Sequence, residues 1–313
     1  MSTKLQTSCI LLLFASVPLV AQDTARPKVL GLAHISLYAH DYEKSRAFYH
    51  GLLGLEEPYT LKNKDGSPSM TFFKINDRQF IEISPEREPN SDRLNHYALE
   101  TDNAEAMRKY LAGRGVKVPD HLPKGRIGNL NFMIQDPEGH SVEIVEYPPD
   151  SQTSLTRGKF MSASRISQHM KHVGIIVTNL DAESKFYTDV LGFTETWRGS
   201  AATSKLLSWV NLKVPDGSDY VEFMLYKEPP APDKRGTAHH LSLDVPDVSA
   251  SIAQLNATLY RPQYTRPIEI HTGINRKRQV NLFDPDGTRT ELMEPNTVDG
   301  RPAPSSNLPP PGP

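Results

Sequence analysis

The chain has 313 residues, 37% of them hydrophobic and 23% charged, with a formal net charge of −2. That length gives room for two domains of ordinary size, and the near-neutral balance excludes an electrostatic case for nucleic acid or an anionic membrane as a partner. Only one cysteine is present, Cys9, so no disulfide can form within the chain.

Residues 1–22 read as a signal peptide. Lys4 supplies a positive start, Ile10 to Val20 is an apolar run too short to span a bilayer, and Ala21-Gln22 offers a cleavage zone before the charged Asp23-Thr24-Ala25-Arg26-Pro27. The expectation is an exported chain, periplasmic or secreted, with no membrane contact once the signal is removed. Cys9 leaves with the signal, so any metal in the mature chain must be held by His, Asp or Glu.

Residues 29–148 and 169–296 read as two copies of one unit, joined by a Ser/Thr/Gln-rich linker at 149–168. His34, Phe48, Tyr49, Leu53 and Gly54 recur as His172, Phe186, Tyr187, Leu191 and Gly192 at a constant offset of 138, and Gln135 to Glu146 recurs as Phe283 to Glu294 at an offset of 148. Each copy opens with an alternating strand, Ala33 to Tyr38 or His172 to Thr178. A helix follows that starts at an acidic cap, Asp41 or Asp181, and ends at Gly54 or Gly192. Strands at Gln79 to Ser84 and Asp219 to Tyr226 come next, then a strand from His96 or His240 and a helix over Ala104 to Gly113 or Val248 to Asn256. Asp-Pro-Glu-Gly at 136–139 and Asp-Pro-Asp-Gly at 284–287 turn the chain into a final strand. Residues 297–313 are proline-rich, have nothing to bury, and read as a disordered tail.

A finer repeat carries the chemistry. A His on one strand is followed by a Glu on a later one twice per copy: His34 to Glu82, His96 to Glu143, His172 to Glu222 and His240 to Glu291, at spacings of 48, 47, 50 and 51. Strand alternation sets these residues opposite their apolar neighbours, such as Ile35 and Leu37 beside His34, or Ile81 and Ile83 beside Glu82. Two imidazoles and two carboxylates on one sheet face need a counter-charge. A divalent ion, Zn, Ni, Mn or Fe(II), suits two nitrogen and two oxygen ligands with positions left open. His40, His50, His121, His140, His169, His239 and His271 break the pattern and read as ordinary hydrogen-bonding groups. Tyr226 and Trp209 read as core packing, with the lining of an aromatic pocket as the alternative.

The segments AHISLYAHDYEKSRAFYHGLLGL, FIEIS, LNHYALE and DPEGHSVEIVE, with KHVGIIVTNLDAESKFYTDVLGF, YVEFMLY, AHHLSLDVPD and DPDGTRTELME in the second half, resemble the vicinal oxygen chelate (VOC) superfamily of glyoxalase I, extradiol dioxygenases and bleomycin-resistance proteins. The resemblance covers about Val29 to Pro295. It implies an α+β fold of two tandem VOC domains, each made of two paired βαβββ modules that form an open cup-shaped mixed sheet with helices outside. It also implies one metal per cup, held by His34, Glu82, His96 and Glu143 in the first and by His172, Glu222, His240 and Glu291 in the second.

Three functions follow from the resemblance. In a glyoxalase-like lyase or isomerase, the metal holds two vicinal oxygens of a small substrate and stabilises an enediolate while a ligand carboxylate (Glu82, Glu143, Glu222 or Glu291, with Glu143 and Glu291 the leading candidates) moves the proton. An exported chain meets little glutathione, so another vicinal-oxygen compound is expected as substrate. An extradiol-type Fe(II) ring-cleaving dioxygenase would use His172, His240 and Glu291, but the tyrosine that such enzymes carry three residues before the Asp-Pro turn is Asn281 here, and Met133 in the first copy. A bleomycin-resistance-like protein would bind a small molecule without reaction, and retention of all eight ligands argues against it. Arg126, Arg276, Lys277 and Arg278 are either substrate-anion contacts or solvated loop. Four modules in one chain satisfy the pairing as a monomer, and a homodimer is also compatible.

Overall fold

The computed structural model describes residues 25–312, and the segment read as a signal peptide lies outside them. Among the described residues no helix is long and apolar enough to cross a membrane.

The first domain runs β1 (Val29–Ala39), α1 (Tyr42–Arg46), β2 (Glu56–Lys62), β3 (Pro68–Lys74), β4 (Phe80–Pro85), β5 (Leu94–Thr101), α2 (Ala104–Gly113), β6 (Leu130–Gln135) and β7 (Ser141–Glu146). After α3 (Gln152–Leu155) the second domain runs β8 (His169–Val177), α4 (Leu180–Lys185), β9 (Thr194–Gly199), β10 (Trp209–Lys213), β11 (Tyr220–Leu225), β12 (His240–Asp244), α5 (Val248–Asn256), β13 (His271–Thr272), β14 (Lys277–Phe283) and β15 (Arg289–Thr297). The strands form two mixed sheets of the α+β, tandem-VOC kind, ordered β2-β3-β4-β1-β5-β7-β6 and β13-β14-β15-β12-β8-β11-β10-β9. In each sheet two modules meet through one antiparallel pair, β1 with β5 or β8 with β12. Within each module the first strand runs parallel to a later one: β1 to β4, β5 to β7, β8 to β11 and β12 to β15.

The details differ from the expected modules in three places. The second module of the first domain is βαββ rather than βαβββ. Residues 116–129, which include Pro119, Pro123, Gly125 and Gly128, hold only an isolated bridge between Lys124 and Leu130, because proline cannot donate to a ladder and glycine weakens one. Asp41 caps α1 as expected, but α4 is capped by Asn179, whose side chain accepts from Ala182 N, and not by Asp181. Both helices then widen into a π-helical turn, Ala47–Leu52 and Phe186–Val190, before ending. Gly54 closes the first at φ 70°, with the Ser164 carbonyl so near that a Cβ would meet it at 2.6 Å.

Ile35, Leu37, Ile81 and Ile83 of the first sheet, Val173, Ile175, Val221 and Phe223 of the second, and Phe48, Met107, Leu111 and Leu255 of the helices belong to one continuous buried cluster. The apolar faces of both sheets therefore share a core, and their His/Glu faces look away from it. Tyrosines cross the seam: Tyr49 donates to Asp284 at 3.0 Å and Tyr187 to Asp136 at 3.3 Å, so each domain's first helix grips the other's Asp-Pro turn. The segment 149–168 is packed, since the buried Lys74 ammonium donates to the carbonyls of Thr156 and Lys159 at 2.6 and 3.0 Å. The tail expected to be free instead follows the β9 edge. Trp197 Nε1 donates to Pro304 O at 2.9 Å, Ser306 N to Arg198 O at 3.0 Å, and Leu207 N to Pro309 O at 2.7 Å. It satisfies backbone groups that an edge strand leaves open.

Glu183 of α4 is fully buried at this seam, with donor atoms of Asp136 and His140 within 4.8 Å. Burial and the neighbouring Asp136 charge push its carboxyl up to about 9. The folded state thus keeps a proton that the unfolded chain releases near 4.5, so the stability this group contributes is full below about 4.5 and is lost as pH rises through 9. Glu183→Gln should therefore stabilise the chain at pH 8 and above, with a smaller difference at pH 5, read as the variant-minus-wild-type urea midpoint. An equal difference at every pH would mean that the carboxyl is ionised in the fold.

Candidate metal centres

Four adjacent strands, β4, β1, β5 and β7, carry Glu82, His34, His96 and Glu143, each at most 5% exposed. The His34 and His96 Nε2 atoms lie 3.0 Å apart. Glu143 Oε2 is 3.3 and 3.0 Å from them, and the Glu82 oxygens are 3.5 and 3.8 Å away. In the second sheet β11, β8, β12 and β15 carry Glu222, His172, His240 and Glu291. There the two Nε2 atoms are 3.1 Å apart, Glu291 is 3.3 Å from His172, and Glu222 is 3.8 and 3.4 Å from His172 and His240. All eight residues of the His/Glu repeat thus converge as two sets of four. In each set the two histidines and the last glutamate, Glu143 or Glu291, have donor atoms mutually within 4.8 Å.

Each set opens into a cavity. The first, about 410 Å³, is also lined by Arg87, Asn95, Arg126 and Met133. The second, about 290 Å³, takes in Trp197, Trp209, Gln279 and Arg289. Trp209 therefore faces the cavity as well as the core. Arg126 donates to Ser69 Oγ at 3.0 Å and to Lys62 O at 2.8 Å, and the Arg87 guanidinium lies 5.5 Å over the Tyr38 ring. Arg276 and Arg278 pair with Asp299 and Glu294 instead.

The family model described as Glyoxalase/Bleomycin resistance protein/Dioxygenase superfamily matches residues 31–144 and 169–292. The chain belongs to this superfamily. It is 29% identical over 133 residues, 41% of this chain and 96% of the relative, to the uncharacterized protein YaeR of Escherichia coli (strain K12). Among solved structures it is similar to a Mn(II)-bound glyoxalase from Novosphingobium aromaticivorans (TM-score 0.62, 19% identity, 86% of this chain and 83% of that one). It is also similar to the 2,3-dioxygenase LapB from Pseudomonas sp. KL28 (0.63, 17%, 89% and 97%) and to an extradiol ring-cleaving dioxygenase from B. fuscum (0.63, 18%, 90% and 76%). At these identities the structures speak for the fold alone.

The first cup has the donors for a divalent metal. Two buried imidazoles and two buried carboxylates meet there, and a divalent cation between them would offset the cost of holding the carboxylates away from water. Burial alone would lower His34, but the Glu82 and Glu143 charges outweigh it and hold the imidazole up at about 9. Burial likewise raises both carboxyls. Glu82 stays above its ordinary range, whereas the two histidines pull Glu143 well below it. Glu143 is also anchored, since Asn131 Nδ2 donates to its Oε1 at 2.6 Å.

The second cup departs from this. The Arg289 guanidinium lies with Nη2 2.8 Å from His240 Nε2. Arg289 is outside the His/Glu repeat, yet it stands two residues before Glu291 on β15, and that spacing puts both on one strand face. At the same place before Glu143 the first domain has Ser141. Burial and then the Arg289 charge depress both His172 and His240 well below the usual imidazole range. Burial, with Glu291 adding to it, pushes Glu222 up to about 8. His240 is further set by Gly174 beneath it. A Cβ there would come within 2.0 Å of the ring, which reaches over to place Nδ1 2.8 Å from the Ala238 carbonyl.

Asn131 acts on the first centre by orienting a ligand. Asn131→Ala should weaken divalent-metal binding about 10–100-fold in a chelator-competition titration. Unchanged affinity would show that Glu143 needs no such support.

Proposed function

We propose that the chain is a divalent-metal-dependent, glyoxalase-like lyase or isomerase that works from its first cup on a small molecule bearing two vicinal oxygens. The observation that carries this reading is the unequal hold on two carboxylates around one imidazole pair. Glu143 is tied by Asn131 and close to both histidines, whereas Glu82 stands farther from each. A divalent ion held by His34, His96 and Glu143 would polarise a substrate carbonyl oxygen and so acidify the neighbouring C–H. Glu82 also has a hydrogen bond from Ser36 but stands farther from both imidazoles; it takes that proton and returns it to the adjacent carbon. Of the two candidate shuttles in this cup, Glu82 is thus favoured over Glu143. Arg87 and Arg126 on the cavity wall suit a substrate that also carries a carboxylate or phosphate. Zn, Ni, Mn or Fe(II) all match two nitrogen and two oxygen donors, and the Mn(II)-bound neighbour supports loading with Mn(II) first. Export, if the first 22 residues direct it, favours a substrate other than a glutathione adduct.

A second reading, ring cleavage with molecular oxygen, has support in the near-complete span of LapB and is opposed by Met133 and Asn281 at the tyrosine position.

The test is solvent-deuterium exchange at the carbon beside the carbonyl, over a panel of anionic α-hydroxy ketones and 2-oxoaldehyde adducts, with the metal-loaded chain. Glu82→Gln should keep its metal, by elemental analysis, and lose exchange by about 10²–10⁴-fold. Glu143→Gln should lose metal as well. Full exchange in Glu82→Gln, or oxygen uptake by the wild type on catechols in place of exchange, would overturn the proposal.

A further inference from the structure

We infer that the second cup does not take a divalent metal, because the Arg289 guanidinium occupies the place a metal would need. The inference builds on the reading of the first cup as the metal centre and concerns the chain's other His/Glu set.

Three observations converge. The Ala238 carbonyl, 2.8 Å from His240 Nδ1, holds the ring proton on that nitrogen, so the Nε2 lone pair is the only one His240 could give to a metal. Arg289 Nη2 already donates to it at 2.8 Å. A guanidinium cannot be deprotonated to make way, and its fixed charge repels a second cation at the same point. Arg289 lines the same cavity as His172, Glu222 and Glu291, so its fixed charge stands inside the donor set. The first cup has Ser141 on the matching strand position, and a hydroxymethyl group cannot span to the histidines. The duplication has thus left one cup open to metal and closed the other with a single side chain.

The chain carries its own reporter. Its two tryptophans, Trp197 and Trp209, both line the second cup and not the first, so a paramagnetic metal bound in the second cup quenches their emission at short range. The metal-stripped full chain is titrated with Co(II), and bound metal by equilibrium dialysis is read beside tryptophan emission. The wild type should bind one equivalent with emission unchanged. Arg289→Ser should bind a second equivalent that quenches it, and Ser141→Arg should lose the first. A wild type that binds a second, quenching equivalent overturns the inference, as does a folded Arg289→Ser that gains none. If Arg289→Ser does not fold, Ser141→Arg decides, and retention of the first equivalent there overturns it too. A wild type that binds no Co(II) at all would sink the reading of the first cup instead. Quenching gained by Arg289→Ser would then still support closure of the second cup, and its absence would overturn it.

Discussion

Two carboxylates buried on one sheet face require a positive charge between them, and both cups are organised around that requirement. Taking such groups out of water costs several kcal/mol each unless they are matched. The first cup sets His34 and His96 against Glu82 and Glu143, a donor set that could hold a cation from solution. The second holds Arg289 against His240, in the cavity that Glu222 and Glu291 also line. The same backbone thus meets one electrostatic demand in two ways, and the difference turns on whether position 141 or 289 bears a short hydroxyl or a long guanidinium.

What holds those groups still is the opposite face of each sheet. The His and Glu residues of the repeat sit on the four central strands of their sheets, and the alternate residues of the same strands are locked into a core shared by both domains. Backbone irregularities fall beside the ligands, between Leu32 and His34 in the β1–β5 pairing and between Ser242 and Leu243 in the β8–β12 pairing. Such irregularities re-aim side chains next to a site at the cost of a local break in the ladder. The tyrosine contacts across the seam fasten each domain's helix to the other's Asp-Pro turn. That turn leads into the strand that carries Glu143 or Glu291, so the seam braces both sites from behind.

The copies have drifted most where they line their cavities. The loop at 116–129 closes the first cup where β13 and its neighbours close the second. Ser36 lies opposite Glu82 and His96 where Gly174 lies opposite Glu222 and His240. Two arginines and Met133 wall one cavity, and two tryptophans the other. These exchanges leave the strand order of the central modules untouched, which is why the fold persists while the chemistry of the cups diverges.

The sequence by itself determined the duplication, the strand faces and the eight residues of the His/Glu repeat, because a period of two along a strand and a recurring offset along the chain are local properties that survive in the order of residues. It also determined Asp41 as a cap and the two glycine helix ends, which depend on a few neighbouring backbone groups. Only the tertiary structure decided the cap at Asn179, the missing strand after α2 and the course of the proline-rich tail, since each depends on which backbone groups another segment can reach. It alone decided that Asn131 ties Glu143 while Glu82 stands back, and that Arg289 reaches His240. Those are facts of distance between residues on different strands, and no spacing along one strand contains them.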